Sequence, residues 1–488
     1  MKKGFICWIF LFCLSMIMGN VNAQTYNAEF TKRITILGLG DSITQGGRNF
    51  ASYLFPLWEK LFGKGYWVDF IGPNESKCRI GSIQCAGYSG KSAEFIESII
   101  DSIYRLYPAD VVLLHSGHNH FNKEKPVAGI IRAQESIIQK IHKINPNAKI
   151  FVAKVIPSGK LPKYAYLPEL NDEIERMMRR INNPNVILVN QFGGFQWSEM
   201  TIEDNVHPNK NGAEQMAGTW FDALQKILPH PEVEYSPTKA VYKTLSDGQQ
   251  LELHIFNPKE SGNHSPHSAI IYFFGGGWTY GTPLQFYHEC AYYASKGIVA
   301  VSAEYRISSV HQSTPFESVE DAHDAIRWLR TNASKLNLDT ARIAAAGASA
   351  GGHLAAACGI ISPKQKDEVS SIPNLLLLYY PVIDNSVSGY GSNLTKKRYQ
   401  EISPLHNIHA GVPPCLFIMG TEDHLIPSET ATRFEKELAN NGTSCELHFI
   451  EGAGHPIFYY RKSLTNDFYT IQSLTNQFLI KHGFFEKK

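Results

Sequence analysis

"AAAGASAGGH", Ala344–His353, joins an apolar, β-like run to a helix-compatible run through a Gly-x-Ser-x-Gly pentapeptide. Gly347 and Gly351, with Ala348 and Ala350 flanking the serine, permit a turn so tight that Ser349 stands above the sheet while the next helix packs closely behind it. A strand that runs straight into a helix belongs to a layered α/β fold. The neighbouring sequence agrees: "LELHIFNP", "SAIIYFFGGGW", "GIVAVSAEYR", "LLLLYYP", "CLFIMGTED" and "CELHFIEGAGH" read as strands with helical patterns between them.

A serine alone is a poor nucleophile and needs a base that is itself oriented by a carboxylate. In such a sheet the order is serine, acid, histidine, each on a loop after a strand. "FIMGTEDHLIP" supplies Asp423 and "FIEGAGHPIF" supplies His455, in that order. Asp384 in "YYPVIDN" is the rival acid, placed behind Asp423 by chain order and strand spacing. Upstream, "YFFGGGWTYG" puts glycines after a strand, where backbone N–H groups can turn toward a developing oxyanion. Gly276, Gly277 and the N–H of Ala350 are the expected donors. No Lys-Ser/Thr follows, which excludes a Walker-type phosphate loop. Trp278 and Tyr280, beside that loop, read equally well as a stacking platform for substrate or as packing.

The first half of the chain has its own alternation: "ITILGLG", "VVLLHSG", "KIFVAKVIP" and "NVILVN", with amphipathic stretches such as "IIRAQESIIQKIHKI" between. At the end of its first apolar run stands "GLGDSITQGG", Gly38–Gly47. Taken alone, Asp41 or Ser42 could be a helix cap. Partners exist, however. "EDNVHPNKNG" gives Asp204 and His207 three apart, a spacing that in a turn puts both side chains on one side. Gly90 in "CAGYSGKSAE" offers a backbone N–H and Asn119 in "LLHSGHNHF" a side-chain N–H, joining that of Ser42. His115, His118 and His120 alternate sides on a strand end, and no carboxylate is expected near them, so no metal site is expected.

The chain has 488 residues, more than one core usually supports, so two domains are expected. Lys plus Arg (46) nearly equals Asp plus Glu (45), which argues against a nucleic-acid partner. The start, "MKKGFICWIFLFCLSMIMGNVNAQ", has two lysines, an apolar run and small residues before Ala23: the layout of a cleaved secretory signal, implying a periplasmic or secreted protein with no span in the mature chain. Of the remaining cysteines, Cys78 and Cys85 flank a glycine-rich turn and could close a small disulfide loop; Cys290, Cys358, Cys415 and Cys445 sit in apolar runs as core residues. "PHPEVEYSPTK" is a stiff proline-rich connector. The expected division is 1–23 signal, 24–228 first domain, 229–240 linker, 241–488 second domain.

Two resemblances follow. "FFGGGW", "AEYRIS", "PFESVEDAHDAIRWLR", "GASAGGHLAA", "GTEDHLIP" and "GAGHPIF" resemble the α/β-hydrolase carboxylesterases related to hormone-sensitive lipase, especially the bifunctional acetylxylan and feruloyl esterases, over most of residues 240–485. The family's usual histidine before the glycines is Phe274 here, and it normally shapes the loop. The order Ser42, Gly90, Asn119, His207 resembles the SGNH (GDSL-type) hydrolases over about residues 33–228, with a flavodoxin-like α/β fold. The family's Gly-x-Asn-Asp reads Gly117-His118-Asn119-His120 here. The resemblances imply a two-domain carbohydrate esterase, one Ser–His–Asp centre per domain, with no cofactor. The implied substrate is an acylated polysaccharide or oligosaccharide: acetylated or feruloylated xylan, with an O-acetylated sialic acid or pectin as alternative. A further alternative leaves the first domain as a non-catalytic carbohydrate-binding module.

Overall fold

The computed structural model describes residues 33–231, 233–259, 265–364, 368–458 and 465–485. The expected signal segment lies outside the described residues. Among them, no helix is long and apolar enough to cross a membrane.

The first domain is built on a seven-stranded sheet. Its strands are β1 (Ile34–Gly40), β2 (Val68–Phe70), β3 (Asn74–Cys78), β4 (Gly81–Gly87), β5 (Val111–His115), β6 (Lys149–Lys154) and β7 (Val186–Asn190). They lie in the order β3-β4-β1-β5-β6-β7, with the short β2 paired to the start of β1. Omitting β2 and β3, this is the 2-1-3-4-5 order of a flavodoxin-like sheet, whose ligand crevice opens where the order reverses, between β1 and β5. Helices cover both faces because their apolar residues recur at helical spacing. Ile130, Ile131, Ile137, Ile138 and Ile141 do so in the helix Val127–Ile144, and Leu167, Leu170, Ile174 and Met177 in Leu167–Ile181. Asn209 caps the last helix, Lys210–Leu224, accepting the Gly212 N–H at 3.0 Å.

The second domain holds an eight-stranded sheet: β8 (Thr238–Thr244), β9 (Gln250–Phe256), β10 (His267–Phe273), β11 (Val299–Ala303), β12 (Leu338–Ala348), β13 (Leu375–Tyr379), β14 (Cys415–Gly420) and β15 (Cys445–Ile450). The order is β15-β14-β13-β12-β10-β11-β9-β8, antiparallel only through β8 and β9. The helix Ala350–Ile360 is buried along its whole length. Its sequence of alanines and glycines lets it lie flat against β12 and β13, and a helix apolar all round belongs to the core.

Three sequence expectations change. β8 begins inside the expected linker, at Thr238, because its residues pair with β9 as the sheet's edge. β3 and β4 form an antiparallel hairpin on an otherwise parallel sheet. In that hairpin Cys78 stands opposite Gly81 and Cys85 opposite Asn74, and both thiols are free. Four strand positions separate the two, roughly 13 Å at the strand rise, beyond the ~7 Å that a disulfide spans. Cys290, Cys358 and Cys415 are buried, and Cys445 is partly so.

Candidate active sites

β1 delivers Asp41 and Ser42 to a one-turn helix at the crevice of the first sheet. Asp41 caps that turn through its Oδ1, which accepts the Ile43 N–H at 2.9 Å. Ser42 Oγ lies 2.8 Å from His207 Nε2, and His207 Nδ1–H donates to Asp204 Oδ2 at 2.5 Å. The other Asp204 oxygen accepts the backbone N–H groups of Val206 (2.9 Å) and His207 (3.0 Å), so a four-residue turn builds the whole acid–base pair. Burial works to raise the Asp204 pKa, but these hydrogen bonds outweigh it and hold the carboxyl below its usual range. An ionised carboxylate there fixes the imidazole tautomer that leaves Nε2 to face the serine.

Gly90 has φ 73°, and a Cβ added there meets nothing within 4 Å, so its backbone borders open space. Asn119 adopts a left-handed conformation (φ 72°) and donates one amide N–H to the Lys91 carbonyl at 3.1 Å. That bond ties the loop after β5 to the Gly90 turn. His120 corrects the expectation that no carboxylate is near: its ring lies 3.0 Å from Glu94 and 3.3 Å from Glu124. Glu94 comes from a helix 26 residues upstream, beyond the reach of local spacing. His115 and His118 are buried, and burial pushes both below the ordinary histidine range, His115 to about 4. Among the described residues no group of histidine, cysteine and carboxylate side chains could hold a metal. Sequence reading missed Phe50, whose ring stacks on His207 at 4.0 Å. Its one sequence signal is an aromatic residue eight positions after Ser42, in the same glycine-rich loop.

In the second domain β12 leads into Ser349, which caps the next helix with φ 53° and ψ −118°. Such a conformation is costly for a side-chain-bearing residue and survives where neighbours enforce it. Here two glycines do so: a Cβ on Gly347 would lie 2.2 Å from the Gly351 carbonyl oxygen, and one on Gly351 1.9 Å from that of Phe273. Ser349 Oγ sits 3.0 Å from His455 Nε2, and His455 Nδ1–H donates to Asp423 Oδ2 at 2.7 Å. Asp423 Oδ1 accepts the N–H groups of Leu425 and Ile426, both at 2.9 Å. Burial again opposes ionisation of Asp423, and the bonds from His455, Ile426 and Leu425 reverse it. The rival Asp384 instead accepts the Ser386 N–H at 2.8 Å and lies 3.9 Å from His406.

Gly276 (φ 129°) and Gly277 (φ 61°) turn the loop above Ser349, and Ala350 opens the helix behind it. Trp278 is 1% exposed and packs edge-on against His353, so it is part of the core and not a platform for substrate. Tyr280 is 44% exposed. Tyr380, which sequence reading did not single out, sets its ring edge-to-face on His455 at 4.8 Å.

Two family models match this chain: a GDSL-like lipase/acylhydrolase family over residues 39–215 and BD-FAE over residues 253–397. Esterase LipC of Mycobacterium tuberculosis is 30% identical over 216 residues, 39% of this chain and 53% of its own length. An acetylxylan esterase of Xylanibacter ruminicola is 27% identical over 246 residues, 46% of this chain and 48% of its own. This chain thus spans about half the length of these two relatives. Among solved structures, Thermogutta terrifontis esterase 2 in its apo form is similar to 54% of this chain and all of its own, at 35% identity and a TM-score of 0.50.

Proposed function

We propose that this chain, which belongs to the carboxylic ester hydrolases as a GDSL-like lipase/acylhydrolase domain followed by a BD-FAE domain, uses two separate serine centres to remove acyl groups from plant polysaccharide. One observation carries the reading. Each domain holds a serine, a histidine and an aspartate in hydrogen-bond sequence, Ser42–His207–Asp204 and Ser349–His455–Asp423.

At each centre the serine Oγ attacks the ester carbonyl while the histidine Nε2 takes its proton. The imidazolium that forms is stabilised by the aspartate and returns the proton to the leaving alcohol. Water then repeats the sequence on the acyl-enzyme. The developing oxyanion is met in the first domain by the N–H groups of Ser42, Gly90 and Asn119, and in the second by those of Gly276, Gly277 and Ala350.

The relative named acetylxylan esterase and the BD-FAE match support acetyl and feruloyl esters on xylan as substrates. The same reading gives an exported protein that loses residues 1–23, with a first domain at 24–228 and a second that begins with β8 at Thr238, after the connector. A mature N-terminus at Gln24, read by mass spectrometry after expression in a secreting host, supports export.

The catalytic test uses Ser42→Ala, Ser349→Ala and the double variant, assayed for acetate and ferulate released from acylated xylan. Each single variant is expected to lose a distinct part of the activity and the double variant all of it. If Ser42→Ala keeps wild-type rates on both products while Ser349→Ala loses everything, the first domain is a carbohydrate-binding module and the two-centre proposal fails.

A further inference from the structure

The tip of hairpin β3–β4 crosses from the first domain onto the second. Arg79 Nε–H donates to the Gly281 carbonyl at 2.9 Å, and the Gly281 N–H donates back to the Arg79 carbonyl at 3.0 Å, across 202 positions of sequence. The Arg79 guanidinium also pairs with Glu304 at 2.7 Å, in a pocket where the two side chains are only 19% and 14% exposed. Screening is weak there, and an arginine in a fixed fork sets orientation as well as charge.

Both partners of Arg79 frame the glycine loop over Ser349. Gly281 ends that loop: a Cβ on it would stand 2.4 Å from the Phe274 ring and 2.6 Å from the Gly275 carbonyl oxygen. The N–H groups of Thr279 and Tyr280 donate to the Gly276 carbonyl at 3.1 and 3.0 Å, and Gly276 itself lies against the Tyr280 carbonyl. On the other side, Glu304 leads into Tyr305, whose hydroxyl donates to the Phe274 carbonyl at 2.7 Å and whose ring stacks on Phe274 at 4.1 Å. Arg79 therefore holds the loop's end and the segment after β11 that supports its start.

We infer that Arg79, a residue of the first domain, is a positioning residue for the second domain's centre, holding the N–H groups of Gly276 and Gly277 where the oxyanion forms. This rests on the reading of Ser349 as nucleophile and of those glycines as donors. The two domains then form one functional unit: the first sets the turnover rate of the second as well as running its own reaction.

The test uses the full chain carrying Ser42→Ala, so that only the second centre turns over. Arg79→Ala and Arg79→Lys are added, 4-nitrophenyl acetate is the substrate, and a phosphonylating reagent titrates Ser349. Removing an oxyanion donor costs on the order of 10²–10³ in kcat, so loosening two of them predicts a fall of about tenfold in kcat per titrated site with KM within about twofold. Arg79→Lys, which keeps the charge opposite Glu304 but not the Nε bond, is expected to recover part of the loss. A purely structural role lowers the titre and leaves kcat per site unchanged; that outcome overturns the inference. Should Arg79→Ala not accumulate folded, an unchanged kcat per site in Arg79→Lys overturns it equally. A Ser42→Ala, Ser349→Ala control that still hydrolyses the ester marks a failure of the nucleophile reading, and not of the clasp.

Discussion

The two candidate centres share a serine–histidine–aspartate arrangement and differ in how they assemble it. Asp204 and His207 are three apart, and the aspartate caps the turn that carries its own histidine. Asp423 and His455 come from loops after successive parallel strands and meet only because β14 and β15 are in register. Both aspartates fix a tautomer, so Asp204→Asn and Asp423→Asn are each expected to lower kcat at their own centre by about 10³–10⁴-fold, measured with the other serine replaced by alanine. Phe50 adds a device peculiar to the first centre. An aromatic stack contributes about 0.5–1.5 kcal/mol, so Phe50→Ala should slow Ser42-dependent turnover by up to about tenfold and leave Ser349-dependent turnover unchanged. Neither the stack on His207 nor the Tyr380 edge on His455 was legible in the sequence, since an aromatic residue's orientation follows from the loop around it. The serines, histidines and acids were legible, because their spacing and order relative to strands are local properties.

At the level of single elements, the strand–turn–helix at Ser349 tolerates no added atom. Gly351→Ala would drive a Cβ into the carbonyls of Phe273 and Phe274, and should abolish Ser349-dependent turnover while Ser42-dependent turnover survives; product assays with each single-serine background check this. The helix Tyr287–Ser295 carries a different tension. Glu289 is buried there, and burial raises its carboxyl from 4.5 to about 8. Between those values the native state binds a proton that the unfolded chain has released, so Glu289 contributes stability below pH 4.5 that is lost as pH rises through about 8. Glu289→Gln should therefore flatten the decline of the melting temperature across that window, read by thermal unfolding at stepped pH. The sequence showed this segment's helical pattern; that Glu289 faced the core depended on the helix's final rotation.

For the molecule as a whole, the joint is more than the connector. Trp58, in the helix Leu54–Gly63 of the first domain, packs against the cores of both domains, and Phe62 against that of the second. Two cores sharing side chains unfold together. The full chain should melt in a single calorimetric transition that Trp58→Ala with Phe62→Ala resolves into two, whereas two transitions in the unaltered chain would show that the domains fold as separate units.

The sequence by itself determined the two α/β sheets, most of their parallel strands, and the serines, histidines and acids that each sheet brings to its crevice. Those follow from apolar period, glycine placement and chain order, all of which act over short stretches. Only the tertiary structure decided that Trp278 is core, that Cys78 and Cys85 stand apart, that Glu94 reaches His120, and that Arg79 reaches Gly281 and Glu304. Each of these is set by how a strand end, a hairpin or a whole domain docks, and that docking energy is summed over surfaces distant in sequence, where no local pattern records which residue will face which.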